Sequence, residues 1–294
     1  MRRVARGLWS GLERACLLGR WRCDAPVLFV LGLPRSGTTL VSQYLVHRAH
    51  VAYFTQGVGE RPGAPALTSA AQRFLAGPYV SDFRSEHGKV RGAAAPREAG
   101  AVWMRFFPRD DYVSAGDVSP ARAEVLRRTV AATQRLFGGL PFVNKNVKHL
   151  LRIPALASIL PHAHFLVVRR DERDVALSIL RARRKQADPG AWWSVRPPDY
   201  ARLAKRPLVE QVAGQVVGLR ARLARDLAAL DPARVTWLDY EAFCARPESL
   251  LERLDAAGVA LRCSGSEVDA FTPVRHRARD ADERDLLEQL PDAG

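Results

Sequence analysis

A run of apolar residues at 27–31 leads into a turn bounded by Gly32 and Gly37. An unbroken run of residues that favour β-structure predicts a buried parallel strand. The two glycines let the chain turn tightly with its amides facing inward, and a helix predicted over 38–48 would place its positive end beside them. The turn is therefore predicted to bind a phosphate or a sulfate.

The turn differs from the loop that binds ATP or GTP. That loop needs Gly-x-x-x-x-Gly-Lys-Ser/Thr, because its lysine reaches the terminal phosphates. Gly32 and Gly37 have the required spacing, but Thr38 stands in the lysine position and Arg35 lies within the turn. A different phosphorylated donor is expected, although an ordinary strand-turn-helix would show the same glycine pair.

A second apolar run at 164–168 leads into a charged segment that contains Arg170 and, eight residues later, Ser178. An arginine at the end of a strand and a hydroxyl two turns into the next helix can converge on one phosphate. With these two segments the chain resembles the sulfotransferase superfamily that uses 3′-phosphoadenosine 5′-phosphosulfate (PAPS). By this resemblance Arg170 and Ser178 bind the 3′-phosphate. The first loop would cradle the 5′-phosphosulfate with Arg35, Ser36, Gly37, Thr38 and Thr39.

Two further segments follow in family order. The run Phe142-Val143-Asn144-Lys145-Asn146 resembles the family's strand with a terminal lysine that points at the donor, and the run at 235–241 resembles its late strand ending in Tyr-Glu. The resemblance implies that Lys145 offsets the negative charge growing on the bridging oxygen, and that Tyr240 lies near the nucleotide. Residues 81–107 are similar to one bacterial subgroup.

The implied reaction moves a sulfuryl group from PAPS to a hydroxyl or amine acceptor, expected to be a carbohydrate or another glycan, without a metal. The general base is the least defined part. Several relatives place a glutamate about twenty residues past the loop, where this chain has Thr55 and Gln56. We expect Glu98 to serve as the base, and the further candidates are Glu60, His87 and His50. His149, close to Lys145, is interpreted as a residue at the start of a helix.

Two other function classes remain open at this point. One is a P-loop nucleotide kinase, and the other is a basic nucleotide- or nucleic-acid-binding protein without catalytic activity. The 45 basic and 31 acidic residues give a net charge of +14, but the arginines are dispersed and show no nucleic-acid-reading module. The charge is therefore interpreted as handling a doubly phosphorylated nucleotide, and nucleic acid is not expected as a partner.

The pattern of elements predicts a three-layer α/β fold around a central parallel sheet. Strands are expected near 27–31, 142–144, 164–169 and 234–238, with helices near 38–48, 149–160, 173–186 and 208–230. Strands that alternate with helices imply a parallel sheet. We predict one domain over 1–294, with an N-terminal extension at 1–24 and an irregular lid or acceptor region at 55–116.

Cysteine spacing and hydropathy bear on metal binding and location. Cys16, Cys23, Cys244 and Cys263 form no Cys-x-x-Cys pair, which indicates neither a zinc site nor a redox motif and favours a reducing, cytoplasmic location. No apolar stretch reaches the roughly twenty residues of a spanning helix. The amphipathic segment 8–21 is expected to dock onto the domain, with weak membrane contact as the alternative.

Overall fold

The computed structural model describes residues 2–19, 21, 24–85, 88, 90–107 and 112–291, with the backbone alone for residues 2–6. His87 and Cys23 lie outside the described residues. The sheet consists of four strands: β1 (Val27–Gly32), β2 (Phe142–Lys145), β3 (Ala163–Arg169) and β4 (Val235–Asp239). All pairings are parallel, in the order β2-β1-β3-β4, which confirms the predicted fold class.

Helices connect the strands and cover the sheet. The described residues contain these α-helices: α1 (Arg2–Leu17), α2 (Thr38–Arg48), α3 (Pro65–Ala76), α4 (Gly100–Trp103), α5 (Pro120–Leu136), α6 (Ile153–Ile159), α7 (Glu172–Arg184), α8 (Tyr200–Leu203), α9 (Leu208–Ala228), α10 (Tyr240–Ala245), α11 (Ser249–Ala256) and α12 (Ala281–Glu288). Short 3₁₀ helices span Gln56–Gly59, Ala115–Asp117, Val147–Leu151 and Pro232–Arg234.

Alternation along the strands divides the core into two layers. Phe29 and Phe165 point to one face, where they pack with α5, α6, α7 and α9, and Leu28 and Leu166 point to the other, where they pack with α2, α10 and α11. Successive side chains of a strand point to opposite faces, so a strand buried on both faces must be apolar throughout. This explains why β1 appears in the sequence as a continuous apolar run.

Two predicted elements differ from those observed. The helix expected over 149–160 is a 3₁₀ turn (Val147–Leu151) followed by α6, since Pro154 fits the first turn of a new helix but not the interior of a longer one. The region 55–116 is irregular only in part, because it contains α3 and α4. The buried residues of α3 are small or polar, among them Ala66 and Ser69, so the helix has no apolar period in the sequence.

The first helix docks onto the domain as expected. Leu17 packs against Ala66 and Ala132, and the buried Glu13 carboxylate accepts hydrogen bonds from the first amides of α3, Ala66 N at 2.9 Å and Leu67 N at 3.0 Å. A carboxylate at a helix N-terminus satisfies unpaired amides and complements the helix dipole. Within the described part of the chain, no helix combines the length and apolar character needed to cross a membrane.

Candidate active site

The segments singled out in the sequence meet at one edge of the sheet. The strands are parallel, so their carboxyl ends lie together, and this is where ligands bind in open α/β sheets. A cleft of about 760 Å³ opens there. Its walls include nearly all of the predicted site residues: Arg35, Gly37, Thr38, Thr39, Glu98, Lys145, Arg170, Ser178 and Tyr240.

The loop after β1 requires unusual backbone angles. Arg35 has φ of 70° and Gly37 has φ of 92°, both in the left-handed region, and Gly37 is the N-cap of α2. A β-carbon built on Gly37 would lie 2.2 Å from Cε2 of Tyr240. The ring of Tyr240 therefore packs directly on the loop, and only glycine fits beneath it.

Ser36 differs from the other loop residues. It is buried and does not line the cleft, and its hydroxyl lies 2.5 Å from where a β-carbon on Gly32 would be. The hydroxyl has no hydrogen-bond partner within the described part of the chain. If Ser36 contacts a ligand from this position, the contact is made by its backbone amide rather than by a side chain on the cleft wall.

Two guanidinium groups and a hydroxyl converge on one side of the cleft. Nε of Arg35 donates to Oγ of Ser178 at 2.9 Å, and Nη1 of Arg170 donates to the carbonyl of Arg35 at 3.0 Å. The Arg170 guanidinium also lies 4.8 Å from the centre of the Tyr240 ring. The loop, the end of β3 and α7 thus meet here, and Arg170 and Ser178 line the same cleft.

The charges at this point suit an anion. Burial, together with the positive charge of Arg170, lowers the pKa of Arg35, because two like charges disfavour each other in a desolvated site. The Nε of Arg170 is buried without a hydrogen-bond partner in the part of the chain described here. A ligand with several anionic oxygens would relieve the repulsion and pair the free N–H, so the residues fit a phosphorylated group.

On the opposite side of the cleft, Lys145 and Glu98 form an ion pair. Lys145 is the last residue of β2, as predicted, and its side chain is 5% exposed against 34% for Glu98. The two asparagines beside the lysine hold the partner segment: Nδ2 of Asn144 donates to the Arg97 carbonyl at 3.3 Å, and Nδ2 of Asn146 donates to the Glu98 carbonyl at 3.0 Å. Strand β2 therefore positions the carboxylate as well as the ammonium.

His149 contacts Asn144, one of the two asparagines beside Lys145. It is fully buried between the rings of Phe29 and Trp103, and its Nε2 lies 3.0 Å from Oδ1 of Asn144. Because the Asn144 amide nitrogen already donates to Arg97, its oxygen accepts, and Nε2 of His149 carries the proton. Burial lowers the pKa of His149 well below its ordinary value, which agrees with a neutral ring. The residue lies within the 3₁₀ turn near the predicted helix start.

The other candidates for the base lie elsewhere. Glu60 is exposed and does not line the cleft, and His50 lies at a separate cavity beside the end of α2. His87 is outside the described residues. Of the described carboxylates and histidines named from the sequence for this role, Glu98 alone reaches the cleft.

The cleft also contains residues that no sequence motif indicated. Phe271, Thr272, Val274 and His276 line it from an irregular segment near the C-terminus. Periodicity and motif spacing carry no signal for a segment without helix or strand, and these residues are brought to the cleft by tertiary contacts alone. The carbonyl of Val274 accepts a hydrogen bond from Arg170, so this segment directly touches the predicted phosphate-binding arginine.

The sequence of this chain is similar to those of known sulfotransferases. The chain is 24% identical over 270 residues to the omega-hydroxy-beta-dihydromenaquinone-9 sulfotransferases Stf3 of Mycobacterium bovis and Mycobacterium tuberculosis, an alignment that covers 84% of this chain and 66% of each relative. The chain thus spans about two thirds of the length of these curated relatives.

A solved structure shares the fold. The crystal structure of sulfotransferase STF9 from Mycobacterium avium superposes with a TM-score of 0.55 at 18% sequence identity, covering 88% of this chain and 69% of the other. The sequence profile described as "Sulfotransferase family" matches residues 26–260, which include the loop, Lys145, Arg170, Ser178 and Tyr240. The chain therefore belongs to the sulfotransferase family.

Proposed function

We propose that this protein transfers a sulfuryl group from PAPS to a hydroxyl acceptor. The observation that carries the proposal is the pairing of two groups across one cleft: the anion site of Arg35, Arg170 and Ser178, and the ion pair of Lys145 with Glu98. Family membership favours this function over the nucleotide kinase and over the noncatalytic binding protein.

In the proposed reaction the acceptor oxygen forms a bond to sulfur, while the bond from sulfur to the bridging oxygen of the 5′-phosphate breaks. The loop amides with Thr38 and Thr39 hold the phosphosulfate, and Arg170 with Ser178 holds the 3′-phosphate. Lys145 stabilises the charge that develops on the bridging oxygen, by analogy with phosphoryl transfer. No step requires a metal ion.

The acceptor proton would pass to Glu98. Its carboxylate is held in the cleft by the ion pair with Lys145, and the two asparagines hold the backbone of its segment. These contacts position the carboxylate without a further hydrogen-bond partner. Ala99, directly after it, has φ of 53°, an uncommon angle for a residue with a side chain. The backbone is thus held in a costly conformation at the residue beside the proposed base.

The base assignment can be tested by replacing Glu98 with glutamine. Glutamine keeps the size of the side chain but accepts no proton, so turnover should fall about 10²–10⁴-fold while donor affinity stays near that of the wild type. Glu60→Gln is the matched control, since Glu60 is exposed and away from the cleft. Turnover of Glu98→Gln within a few-fold of the control would exclude Glu98 as the base.

The acceptor class is a separate part of the proposal. A glycan is the acceptor expected from the sequence, and the curated relatives are named for a menaquinone-derived acceptor that carries a hydroxyl. The cleft wall includes the apolar side chains of Phe83, Val147 and Trp193, which suit a hydroxyl compound with an apolar body. We therefore propose an apolar alcohol as the first acceptor to test, with glycans as the second. We also propose that the protein is located in the cytoplasm.

A direct assay separates the possibilities. Transfer of labelled sulfate from PAPS would be measured with long-chain alcohols and with oligosaccharides as acceptors. The melting temperature of the protein would be compared in the presence of 3′,5′-bisphosphoadenosine and of ATP with magnesium. We expect stabilisation by the bisphosphate and transfer to the alcohols. Stabilisation by ATP with magnesium alone would contradict the donor assignment, and transfer to oligosaccharides alone would contradict the apolar acceptor.

A further inference from the structure

The C-terminal strap, defined as residues 262–280, crosses the protein without forming a helix or a strand. It is tied to the last residue of α2 where Ser264 N donates to the Arg48 carbonyl at 3.0 Å, and to α10 where Phe271 N donates to the Cys244 carbonyl at 2.7 Å. The ring of Phe271 packs on Phe83, with ring centres 4.9 Å apart. The strap therefore packs against α2, α10 and Phe83, although it follows the last residue matched by the family profile.

Near its end the strap places His276 in the cleft wall. The backbone amide of His276 donates to Oδ1 of Asp174 at 2.5 Å, and Nη1 of Arg181 lies 2.9 Å from its Nδ1. Arg181 is itself held by the carboxylate of Glu283, at 2.7 and 2.8 Å. Both Asp174 and Arg181 belong to α7, the helix that carries Ser178, so His276 is fixed relative to the proposed phosphate site.

These contacts define the protonation of the ring. A guanidinium only donates hydrogen bonds, so Nδ1 of His276 must accept, and the ring proton resides on Nε2. The charged groups that act on the ring are Arg181, Arg170 and Arg35, opposed by Asp174. Burial and the positive charges lower the pKa of His276, which keeps the ring neutral near pH 7. A neutral ring in this tautomer has one N–H left to offer.

We propose that His276 is a further donor-binding residue, whose Nε2–H donates to the 3′-phosphate beside Arg170 and Ser178. The inference rests on the proposed function, because it assumes a donor with a 3′-phosphate. Arg181 acts through His276 as a positioning residue: it holds Nδ1 and thereby leaves the proton on the nitrogen available to the ligand.

Asparagine and glutamine substitutions of His276 test the roles of its two ring nitrogens separately. His276→Asn keeps a polar atom close to the position of Nδ1 and removes the N–H at Nε2, whereas His276→Gln extends an amide to about the position of Nε2. The matched control is His162→Asn, the same change at an exposed histidine before β3, at the other edge of the sheet. Calorimetry would measure the binding of 3′,5′-bisphosphoadenosine and of adenosine 5′-monophosphate, which lacks the 3′-phosphate.

We expect His276→Asn to bind the bisphosphate about tenfold more weakly and the monophosphate as the wild type does, since one hydrogen bond to a charged group is lost. His276→Gln should recover part of the loss, and His162→Asn should change neither affinity. Equal weakening for both nucleotides, equal losses in both His276 variants, or no loss in His276→Asn would overturn the inference. A wild-type protein that binds no bisphosphate would instead contradict the proposed function.

Discussion

Replacing Gly37 with alanine should damage the protein in two distinct ways. The left-handed φ of 92° costs a residue with a β-carbon about 1–2 kcal/mol. The new β-carbon would also meet the Tyr240 ring at 2.2 Å, and crowding of this kind in a packed site costs about 1–3 kcal/mol. The two effects together predict a loss of roughly 2–5 kcal/mol, or about 3–8 °C in the melting temperature of a chain of this size.

A second glycine isolates the effect of crowding. Gly138 has φ of 84°, and a β-carbon built on it would have nothing within 4 Å, so Gly138→Ala should lose the backbone part alone. Thermal unfolding of both variants gives the difference. Removing the ring in a Gly37→Ala/Tyr240→Ala double variant should then show coupling of about 0.5–3 kcal/mol. Equal losses for Gly37→Ala and Gly138→Ala would refute the contact between loop and ring.

Three further predictions concern the phosphate site, the lysine and a buried histidine. Arg170→Ala should weaken bisphosphate binding in calorimetry by about ten- to a hundredfold, and Ser178→Ala by less, because a neutral hydroxyl bond is worth about 1 kcal/mol; unchanged affinity would remove Arg170 from the site. Lys145→Ala should lower turnover much more than donor affinity, and equal losses would indicate a lysine used only for binding. The free energy of unfolding should fall by up to about 1.4 kcal/mol per pH unit below pH 6.5, because the unfolded chain binds the proton that buried His149 does not. Urea titrations at several pH values would measure this dependence. The same dependence of unfolding free energy on pH in His149→Gln would contradict the prediction.

The sequence was sufficient to predict the sheet and the motifs at its edge. An apolar run such as 27–31 is a reliable sign of a buried parallel strand, and residues at the carboxyl ends of parallel strands must meet. Lys145 and Arg170 were singled out by their resemblance to the family's motifs, and each lies at the end of a predicted strand. The sheet order then brings them to the same cleft.

What could not be predicted depends on contacts between distant segments. Nothing in the order of residues shows that Asn144 and Asn146 hold the backbone of Arg97 and Glu98, because the two segments are joined by hydrogen bonds across a gap of 47–48 positions. His276 was missed for the same reason. Ser36 was expected to help hold the phosphosulfate because it lies in the loop, and burial of its hydroxyl off the cleft wall is a detail of packing that loop spacing does not show.

The helix that Glu13 ties to α3 and the strap that carries His276 have a common property: both lie outside residues 26–260, the part of the chain that matches the family profile. The part of the chain that the family profile matches is therefore shorter than the part that lines the cleft. The strap lines the cleft, so substitutions at Thr272 or His276 would change the cleft wall outside the part of the chain that the profile matches.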